Sequence, residues 1–374
     1  MKILFLIFHG FSEYSGISKK IRYQVNGLKE AGHEVDLCYY TVTPDGYRLR
    51  MINEQVIDNY GCGWLAPIKK RFSYKAIINY AINSQTELVY MRSDHNANPF
   101  TIAFLNKLKK NCIKTVMEIP TYPYDQEYKG LSLQFQLELL TDKCFRKCLA
   151  KQLFRIVTFT EDDTIFNAKT IKISNGIDFN EIKLKSEQKK TESSFHLIGV
   201  AEVHPWHGFD RVMKGIGEYY KNKHAQEVYF HVVGGIASSE MSIFKQIIKE
   251  YKIENYIIFH GTKFGEELDA LFEQANFGIA SLARHRSKIT HIKTLKNREY
   301  AARGIPFIYS EIDSDFEDKP YILKAPANDS AINILEIISF YKKCNFTPWE
   351  IRNSIKNLSW KNQMQKVVNE SSNI

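Results

Sequence analysis

Hydrophobic residues occur along this chain in runs of strand length that alternate with longer amphipathic segments. In the first half, the apolar runs predict strands near residues 3–8, 35–40, 88–92, 115–119, 156–159 and 171–173. In the second half, they predict strands near residues 196–200, 228–233, 257–259, 277–280 and 305–309. Strands that alternate with helices are typical of parallel sheets covered by helices on both faces. We therefore expect an α/β protein with doubly wound sheets.

A polar, lysine-rich segment from Lys183 to Ser194 separates the two sets of predicted strands. It has no hydrophobic periodicity, which indicates a linker. The chain has 374 residues, of which 44% are hydrophobic, enough for two domains that each have a core. The sequence thus predicts two doubly wound domains joined near residue 190.

The apolar start of the chain predicts a buried strand rather than a signal peptide. Its run from Ile3 to Phe8 stops at His9 and Gly10 without a small-residue cleavage site. No apolar stretch approaches the roughly 20 residues that span a bilayer. The six cysteines include no Cys-x-x-Cys pair, so we expect reduced thiols and a cytoplasmic protein.

The net charge of +9 is concentrated in the first half. Up to Lys185, 26 lysines and arginines stand against 19 acids, whereas beyond it the numbers are 25 and 23. A basic half suits a nucleic acid, an anionic membrane surface or a phosphorylated acceptor. Composition does not choose among these partners.

The most informative local pattern places Lys296 and Glu299 one helical turn apart, just before a Gly-Ile-Pro break and a predicted strand. Residues three apart share a helix face, so both side chains can reach one ligand. The run from Arg284 to Arg298 contains eight basic or histidine residues and no acid, which suits a diphosphate at a helix N-terminus. The alternative is a solvated basic surface with ion pairs worth a few tenths of a kcal/mol.

Several segments occur in the order found in one enzyme family. They are Gly16 before the first helix, the helix end Ala31-Gly32-His33-Glu34-Val35, Ser174-Asn175-Gly176-Ile177-Asp178, Val200 to Gly208, Val232-Val233-Gly234-Gly235, Phe259-His260-Gly261, and Lys296 to Pro306. In these segments the chain resembles the family-4 glycosyltransferases. The resemblance implies the GT-B fold, in which two Rossmann-like domains face each other across a cleft. It implies an acceptor-binding domain at 1–182, a donor domain at 190–348, and a helix at about 349–374 that crosses back.

Residue roles follow from the resemblance. Glu299 matches the second glutamate of the family's Glu-x7-Glu motif and is expected to bind the donor ribose, with Lys296 beside it. The first glutamate of that motif is replaced by His291, which we assign as a candidate catalytic residue near the transferred sugar. Gly16, in the loop that leads into the first helix, is expected to let backbone approach the donor.

The phosphate-binding segment departs from the family. Many members have an arginine and a lysine where this chain has Glu202 and His207. A glutamate does not bind a diphosphate, whereas a histidine does. We therefore assign His207 to the donor site, and Arg286 in the basic loop as a source of the missing charge.

Glu118 stands near the position of a histidine that the family commonly has after the fourth strand. One interpretation makes it a candidate catalytic residue at the carboxyl end of a strand, where α/β sheets bind ligands. The other is a strand-end carboxylate with a structural partner.

The resemblance implies transfer of a hexose-type sugar from a UDP- or GDP-linked donor to a glycan or polyprenyl-diphosphate-linked acceptor, with retention of configuration, in the synthesis of a cell-surface polysaccharide or glycoconjugate. No suitably placed Asp-x-Asp motif occurs, so we expect no metal and no other cofactor. The basic first half favours an enzyme peripheral to the inner face of the cell membrane, and no nucleic-acid-binding motif accompanies its charge. The alternatives are a sugar-nucleotide 2-epimerase and a catalytically silent GT-B partner protein.

Overall fold

The structure is a computed structural model that describes residues 1–11, 16–128, 132–187, 193–222 and 224–372. The chain divides into two compact units. The first unit consists of Met1–Ser174 and Trp360–Ile374, and the second consists of Asn175–Ser359. Each unit contains one sheet with helices packed on both faces.

The sheet of the first unit has the strand order β4-β3-β2-β1-β5-β6-β7-β9-β8. Its strands are β1 (Lys2–Leu6), β2 (Glu34–Val42), β3 (Arg48–Ile52), β4 (Gln55–Gly61), β5 (Leu88–Arg92), β6 (Lys114–Ile119), β7 (Arg155–Thr158), β8 (Thr164–Ile165) and β9 (Ala168–Lys172). The strands from β2 to β9 in this order are parallel, and the remaining three pair antiparallel at the two edges. All six predicted strands of this half overlap strands of the sheet.

The helices of the first unit are α1 (Gly16–Glu30), α2 (Ala66–Lys69), α3 (Lys75–Asn83), α4 (Pro99–Lys110), α5 (Leu133–Ala150) and the C-terminal α12 (Trp360–Ser372). Apolar residues of α1 and α12 form one core with β1 and β5. Residues of α3, α4 and α5 form a second core with the same central strands. α1 and α12 approach closely at Gly27, where a Cβ would lie 2.8 Å from the carbonyl oxygen of Trp360.

The sheet of the second unit has the order β12-β11-β10-β13-β14-β15, and all its strands are parallel. The strands are β10 (Ser194–Val200), β11 (Glu227–Val233), β12 (Ile257–Gly261), β13 (Phe277–Ile279), β14 (Phe307–Tyr309) and β15 (Ile322–Lys324). The helices are α6 (Phe209–Tyr220), α7 (Ser238–Tyr251), α8 (Gly265–Gln274), α9 (Leu295–Arg303), α10 (Ile334–Lys343) and α11 (Pro348–Asn353). This is the strand order of a Rossmann fold, which reverses between β10 and β13.

Some boundaries differ from those expected. The first unit gives way to the second after Ser174 rather than at residue 182. Residues 349–359, expected in the crossing helix, belong to the second unit, because Ile351 and Ile355 are buried in its core. Trp360, Met364, Val367 and Val368 of α12 belong to a core of the first unit. In the described part of the chain, no helix has the length and apolarity needed to cross a membrane.

Candidate functional site

Loops of the second unit meet at the carboxyl edge of its sheet, beside the reversal between β10 and β13. They are residues 201–208 after β10, 281–288 after β13 and 310–315 after β14. The backbone N–H of Leu282 donates to the carbonyl of His207 at 3.0 Å, and that of Ser310 donates to the carbonyl of Ser281 at 3.0 Å. These bonds fasten the loops to one another at the edge where α/β sheets bind ligands.

Gly208 allows the first two of these loops to touch. Its φ is +66°, and a Cβ built on it would lie 2.9 Å from the Cβ of Leu282 and 3.0 Å from that of Ala283. A residue with a side chain would meet both a disfavoured backbone conformation and a steric clash. The sequence here therefore fixes the position of His207, the residue before the glycine.

His207 and Lys296 are 89 positions apart in sequence and in direct contact in the structure. The Nε2 atom of His207 lies 2.5 Å from Nζ of Lys296. On the other side of the ring, Nδ1 accepts a hydrogen bond of 3.0 Å from the backbone N–H of His204. A neutral ring that accepts at Nδ1 carries its proton on Nε2, so the amine of Lys296 is the acceptor. Only an uncharged amine can take that role.

Burial acts on both groups in the same direction. The pKa of Lys296 is lowered to about 7 by burial and by the nearby guanidinium of Arg284. The pKa of His207 is lowered to about 2 by burial, Lys296 and Arg284. Both lowered pKa values favour the uncharged forms of Lys296 and His207 in the free protein. A bound anion would favour their charged forms.

Two further charged residues border this pair. Arg284 lies in the loop after β13 and is half-buried. Its Nε atom has no hydrogen-bond partner among the described residues. Glu311 follows β14 and is 3% exposed. Burial lowers the pKa of Arg284 and raises that of Glu311 to about 7. Glu311 is not among the residues predicted from sequence, although an acid two positions after a buried apolar run is a signal visible there.

Glu299 and His291 lie on the outer part of the same edge. Glu299 is half-buried one turn after Lys296, and its Oε1 accepts a hydrogen bond of 3.1 Å from Nε of Arg303. His291 is exposed, and its Nδ1 lies 2.9 Å from Oγ1 of Thr290. The backbone at His291 forms a parallel bridge to Ile312, next to Glu311. Four of the predicted residues, His207, His291, Lys296 and Glu299, thus belong to one edge of the second unit.

Arg286, predicted to bind the donor, is engaged by two carboxylates and a backbone carbonyl. Its guanidinium forms a bidentate pair with Asp210, with both N···O distances 2.9 Å. It also donates to Asp329 at 2.7 Å and to the carbonyl of Pro205 at 2.8 Å. Because two carboxylates already neutralise it, Arg286 braces the loops, and its neighbour Arg284 is the better candidate for a ligand cation.

Arg298, also from the basic run, is fully buried as a structural brace. It donates to the carbonyls of Asn175 and Thr294 at 3.0 Å each and forms ion pairs with Asp313 and Asp315. These contacts hold the start of α9 against residue 175. Asn175 thereby fixes the helix that carries Lys296 and Glu299.

The other two predicted residues lie in the first unit. Glu118 is 0% exposed and accepts hydrogen bonds of 2.5 Å each from Gln24, Tyr90 and Arg92, while Nζ of Lys20 lies 3.6 Å away. These partners lower its pKa despite complete burial. This environment favours the structural interpretation of Glu118 over contact with a substrate.

Gly16 begins α1 and is exposed, with no atom within 4 Å of a Cβ built on it. The loop before it, residues 12–15, lies outside the described residues. Within the described ranges, no group of three or more His, Cys, Asp or Glu side chains is arranged to hold a metal ion.

Comparison with known proteins gives the fold. No protein-family model matches the chain, and no curated protein matches its sequence. Among solved structures, sucrose-phosphate synthase from Thermosynechococcus elongatus is 14% identical with a TM-score of 0.64, covering 99% of each chain. Anabaena HepE in complex with UDP is 13% identical with a TM-score of 0.62, covering all of both chains. A Rickettsia africae glycosyltransferase is 14% identical with a TM-score of 0.64, covering 99% of this chain and 97% of its own. The expected fold class, two Rossmann-like domains of the GT-B type, is confirmed.

Proposed function

We propose that this protein is a glycosyltransferase that uses a UDP- or GDP-linked sugar as donor. The observation that carries the proposal is the contact between Lys296 and His207 at the carboxyl edge of a Rossmann-type sheet, with Arg284 and Glu299 beside it. It is supported by a fold shared over almost the whole chain with the Rickettsia africae glycosyltransferase and with HepE in complex with UDP-glucose. Glu299 is the proposed partner of the ribose hydroxyls.

The proposed mechanism is electrostatic. When the bond between sugar and diphosphate breaks, negative charge develops on the leaving diphosphate. Lys296 and Arg284 can stabilise that charge in a site largely shielded from water, where such interactions are stronger than in bulk solution. Retention of configuration, a hexose-type sugar and use in cell-surface glycan assembly are parts of the proposal that rest on the family resemblance.

Donor binding is the first test. A panel of UDP- and GDP-sugars is titrated calorimetrically into the native protein, Glu299→Ala and Glu254→Ala, the last being an exposed acid of the same unit. We expect one donor to bind native protein and the control equally, and Glu299→Ala to lose roughly ten-fold or more of that affinity. If no donor binds, the silent-partner alternative replaces this proposal. Conversion of the donor's sugar without an acceptor would instead support the epimerase.

The acceptor is proposed to be lipid-linked, because the first unit presents large apolar side chains beside lysines. Leu133, Leu137 and Leu140 on α5 are 82%, 63% and 58% exposed at positions that share a helix face. Trp64 near α2 is 79% exposed. We define the apolar-basic face as these four residues together with Leu65, Ile68, Lys69, Phe72, Phe100 and Lys147.

The two parts of the apolar-basic face are joined. Arg71, from the loop after α2, forms an ion pair of 3.1 Å with Glu138 of α5. The rings of Phe72 and Phe100 have centroids 4.7 Å apart. Exposed apolar groups flanked by lysines fit the interface of an anionic bilayer, where the chains enter the headgroup region and the ammonium groups meet phosphates.

Vesicle sedimentation tests this face. We expect native protein to sediment with phosphatidylglycerol-containing vesicles and much less with pure phosphatidylcholine. The double variant Trp64→Ser, Leu137→Gln should remain in the supernatant. Trp349→Ser, which removes a tryptophan 62% exposed in the second unit, is the matched control and should behave as native. Equal sedimentation of both variants would refute the face without affecting the donor-site proposal.

A further inference from the structure

Glu311 is a buried carboxylate that receives no hydrogen bond from another described residue. It directly follows Ser310 at the carboxyl end of β14 and is 3% exposed. Neither of its carboxylate oxygens has a partner in the part of the chain that the structure describes. Burying a carboxylate without a partner costs free energy, and such groups are rare in native proteins. Glu311 therefore requires an explanation beyond folding.

Backbone hydrogen bonds on both sides of Glu311 fix the position of its backbone. The N–H of Ser310 donates to the carbonyl of Ser281 at 3.0 Å. The N–H of Ile312 donates to Thr290 at 2.8 Å, and the carbonyl of Ile312 accepts from Ile292 at 3.0 Å. The carboxylate thus stands at a fixed point between the loop after β13 and the segment that leads into α9.

Charged groups near Glu311 include Arg284 of the candidate donor site, together with Asp313 and Lys324. Arg284 acts on Glu311 electrostatically, and Glu311 in turn acts on Lys296. Nevertheless, the carboxylate oxygens form no hydrogen bond with either cation or with any other described residue. The nearby Nε–H of Arg284 is a buried donor that also lacks a described partner. An acceptor and a donor, both buried and both unpaired, are therefore left within electrostatic range of each other.

The chemistry of a suitable ligand follows from these two groups. A phosphate would be repelled by Glu311, and a second cation would be repelled by Arg284. An alcohol carries no charge, donates to a carboxylate through O–H and accepts from a guanidinium through its oxygen. Two neighbouring hydroxyl groups can occupy both carboxylate oxygens at once. A sugar ring attached to a diphosphate held by Lys296 has this chemistry.

We infer that Glu311, with Arg284, forms the subsite for hydroxyl groups of the donor sugar and determines which sugar is accepted. This inference rests on the proposed donor function of the same edge. The carboxylate accepts from two adjacent hydroxyls, and the guanidinium donates through Nε–H to one of their oxygens, which leaves its terminal N–H groups for the diphosphate. These contacts supply part of the affinity for the complete sugar nucleotide. They supply little of the affinity for the nucleoside diphosphate alone.

The test compares two ligands on matched variants. Dissociation constants for UDP and UDP-glucose, or GDP and GDP-mannose if the guanine nucleotides bind, are measured calorimetrically with native protein, Glu311→Gln and the exposed control Glu254→Gln. For Glu311→Gln we expect the sugar nucleotide to bind roughly ten- to a hundred-fold more weakly, because hydrogen bonds to a charged group are lost. The nucleoside diphosphate should bind as well as before or more tightly, since a nearby negative charge has been removed. The control should match the native protein for both ligands.

Deoxy-sugar donors supply the second measurement. A donor that lacks one hydroxyl bound by Glu311 should lose affinity for the native protein but not for Glu311→Gln, so the two changes are not additive. Melting temperature checks folding, and glutamine, an uncharged residue of the same shape, should leave it unchanged or raise it. If the variant loses affinity for both ligands together with a lower melting temperature, Glu311 is structural and the inference is overturned.

Failure of this inference and of the donor function can be told apart. If the nucleoside diphosphate binds but its affinity ratio to the sugar nucleotide is the same in native protein and Glu311→Gln, only the sugar subsite is overturned. If neither ligand binds the native protein, the donor function falls and the subsite falls with it.

Discussion

Binding of the donor diphosphate should depend steeply on pH between neutrality and about pH 9, because the ammonium charge of Lys296 is stabilised only when an anion is bound. In the free protein, burial and Arg284 lower the pKa of Lys296 to about 7. Its contact of 2.5 Å with the Nε2 atom of His207 also favours the uncharged amine. A bound diphosphate reverses this preference, so binding takes up a proton at alkaline pH.

The magnitude follows from the lowered pKa. If only the charged form of Lys296 binds a diphosphate, the dissociation constant is multiplied by one plus the ratio of neutral to charged amine. Between pH 7 and 9 that factor rises about fifty-fold, which corresponds to about 2.3 kcal/mol at 1.36 kcal/mol per pKa unit. A lysine at its ordinary pKa of 10.5 would change the affinity by a few per cent over the same interval.

Isothermal titration calorimetry of UDP binding measures both consequences. The dissociation constant is determined at several pH values, and at about pH 8 the apparent enthalpy is compared in buffers with different ionisation heats, which reports proton uptake. Lys296→Arg keeps its charge throughout and should show a flat profile. Lys296→Met should bind weakly without the slope, and Lys245→Met, an exposed lysine of α7, should keep the native slope.

A flat native profile would refute this reasoning, as would an enthalpy that does not depend on the buffer. A slope shared by native protein and Lys296→Arg would assign the titration to the ligand or to another group. In either case the discharge of Lys296 by His207 would not govern binding.

Other predictions concern stability and are measured by thermal or denaturant unfolding. Gly208→Ala should destabilise the second unit by about 1–3 kcal/mol, because of the φ of +66° and the contact with Leu282. It should also weaken UDP binding by displacing His207. A variant as stable as the native protein would count against the described loop contact. The pKa of His231 is lowered to about 4 by burial and its histidine neighbours. The unfolded chain therefore binds a proton at His231 more readily, so the free energy of unfolding should fall by up to about 3 kcal/mol as the pH drops from about 6.5 to about 4. His231→Asn should reduce this dependence of stability on pH, and an unchanged dependence would exclude His231 as its source. Glu118→Gln should lower the free energy of unfolding by about 3–5 kcal/mol, because the buried cation of Arg92 loses its partner. A variant that is as stable as the native protein but lacks transferase activity would instead support a catalytic role for Glu118.

The central strands were predictable because they are buried on both faces and appear as continuous apolar runs. The antiparallel hairpin β3–β4 was missed because its sequence is polar and includes Arg50, which is 0% exposed. That arginine donates to the carbonyl of Ile7 at 2.9 Å, a partner 43 positions away. A pattern of hydrophobic positions does not reveal a charge that is buried through a distant carbonyl.

The candidate site was predictable where a motif is local and not where distant residues meet. Lys296 and Glu299 are neighbours on one helix face and could be recognised from their spacing. The assignment of Arg286 to the donor could not be judged from sequence, because the two carboxylates that neutralise it are 76 and 43 positions away. Glu311 was overlooked for the same reason, since its burial depends on loops that follow other strands.

The first unit is discontinuous along the chain, and this has a consequence during synthesis on the ribosome. Its core includes Trp360, Met364, Val367 and Val368 of α12, which pack with α1 and β1. The second unit, Asn175–Ser359, lies entirely between the two parts. All residues of the second unit therefore leave the ribosome before the first unit has its last helix. The unit whose synthesis begins first is therefore the last to have all its residues available, and until α12 is made the core between α1 and α12 is incomplete.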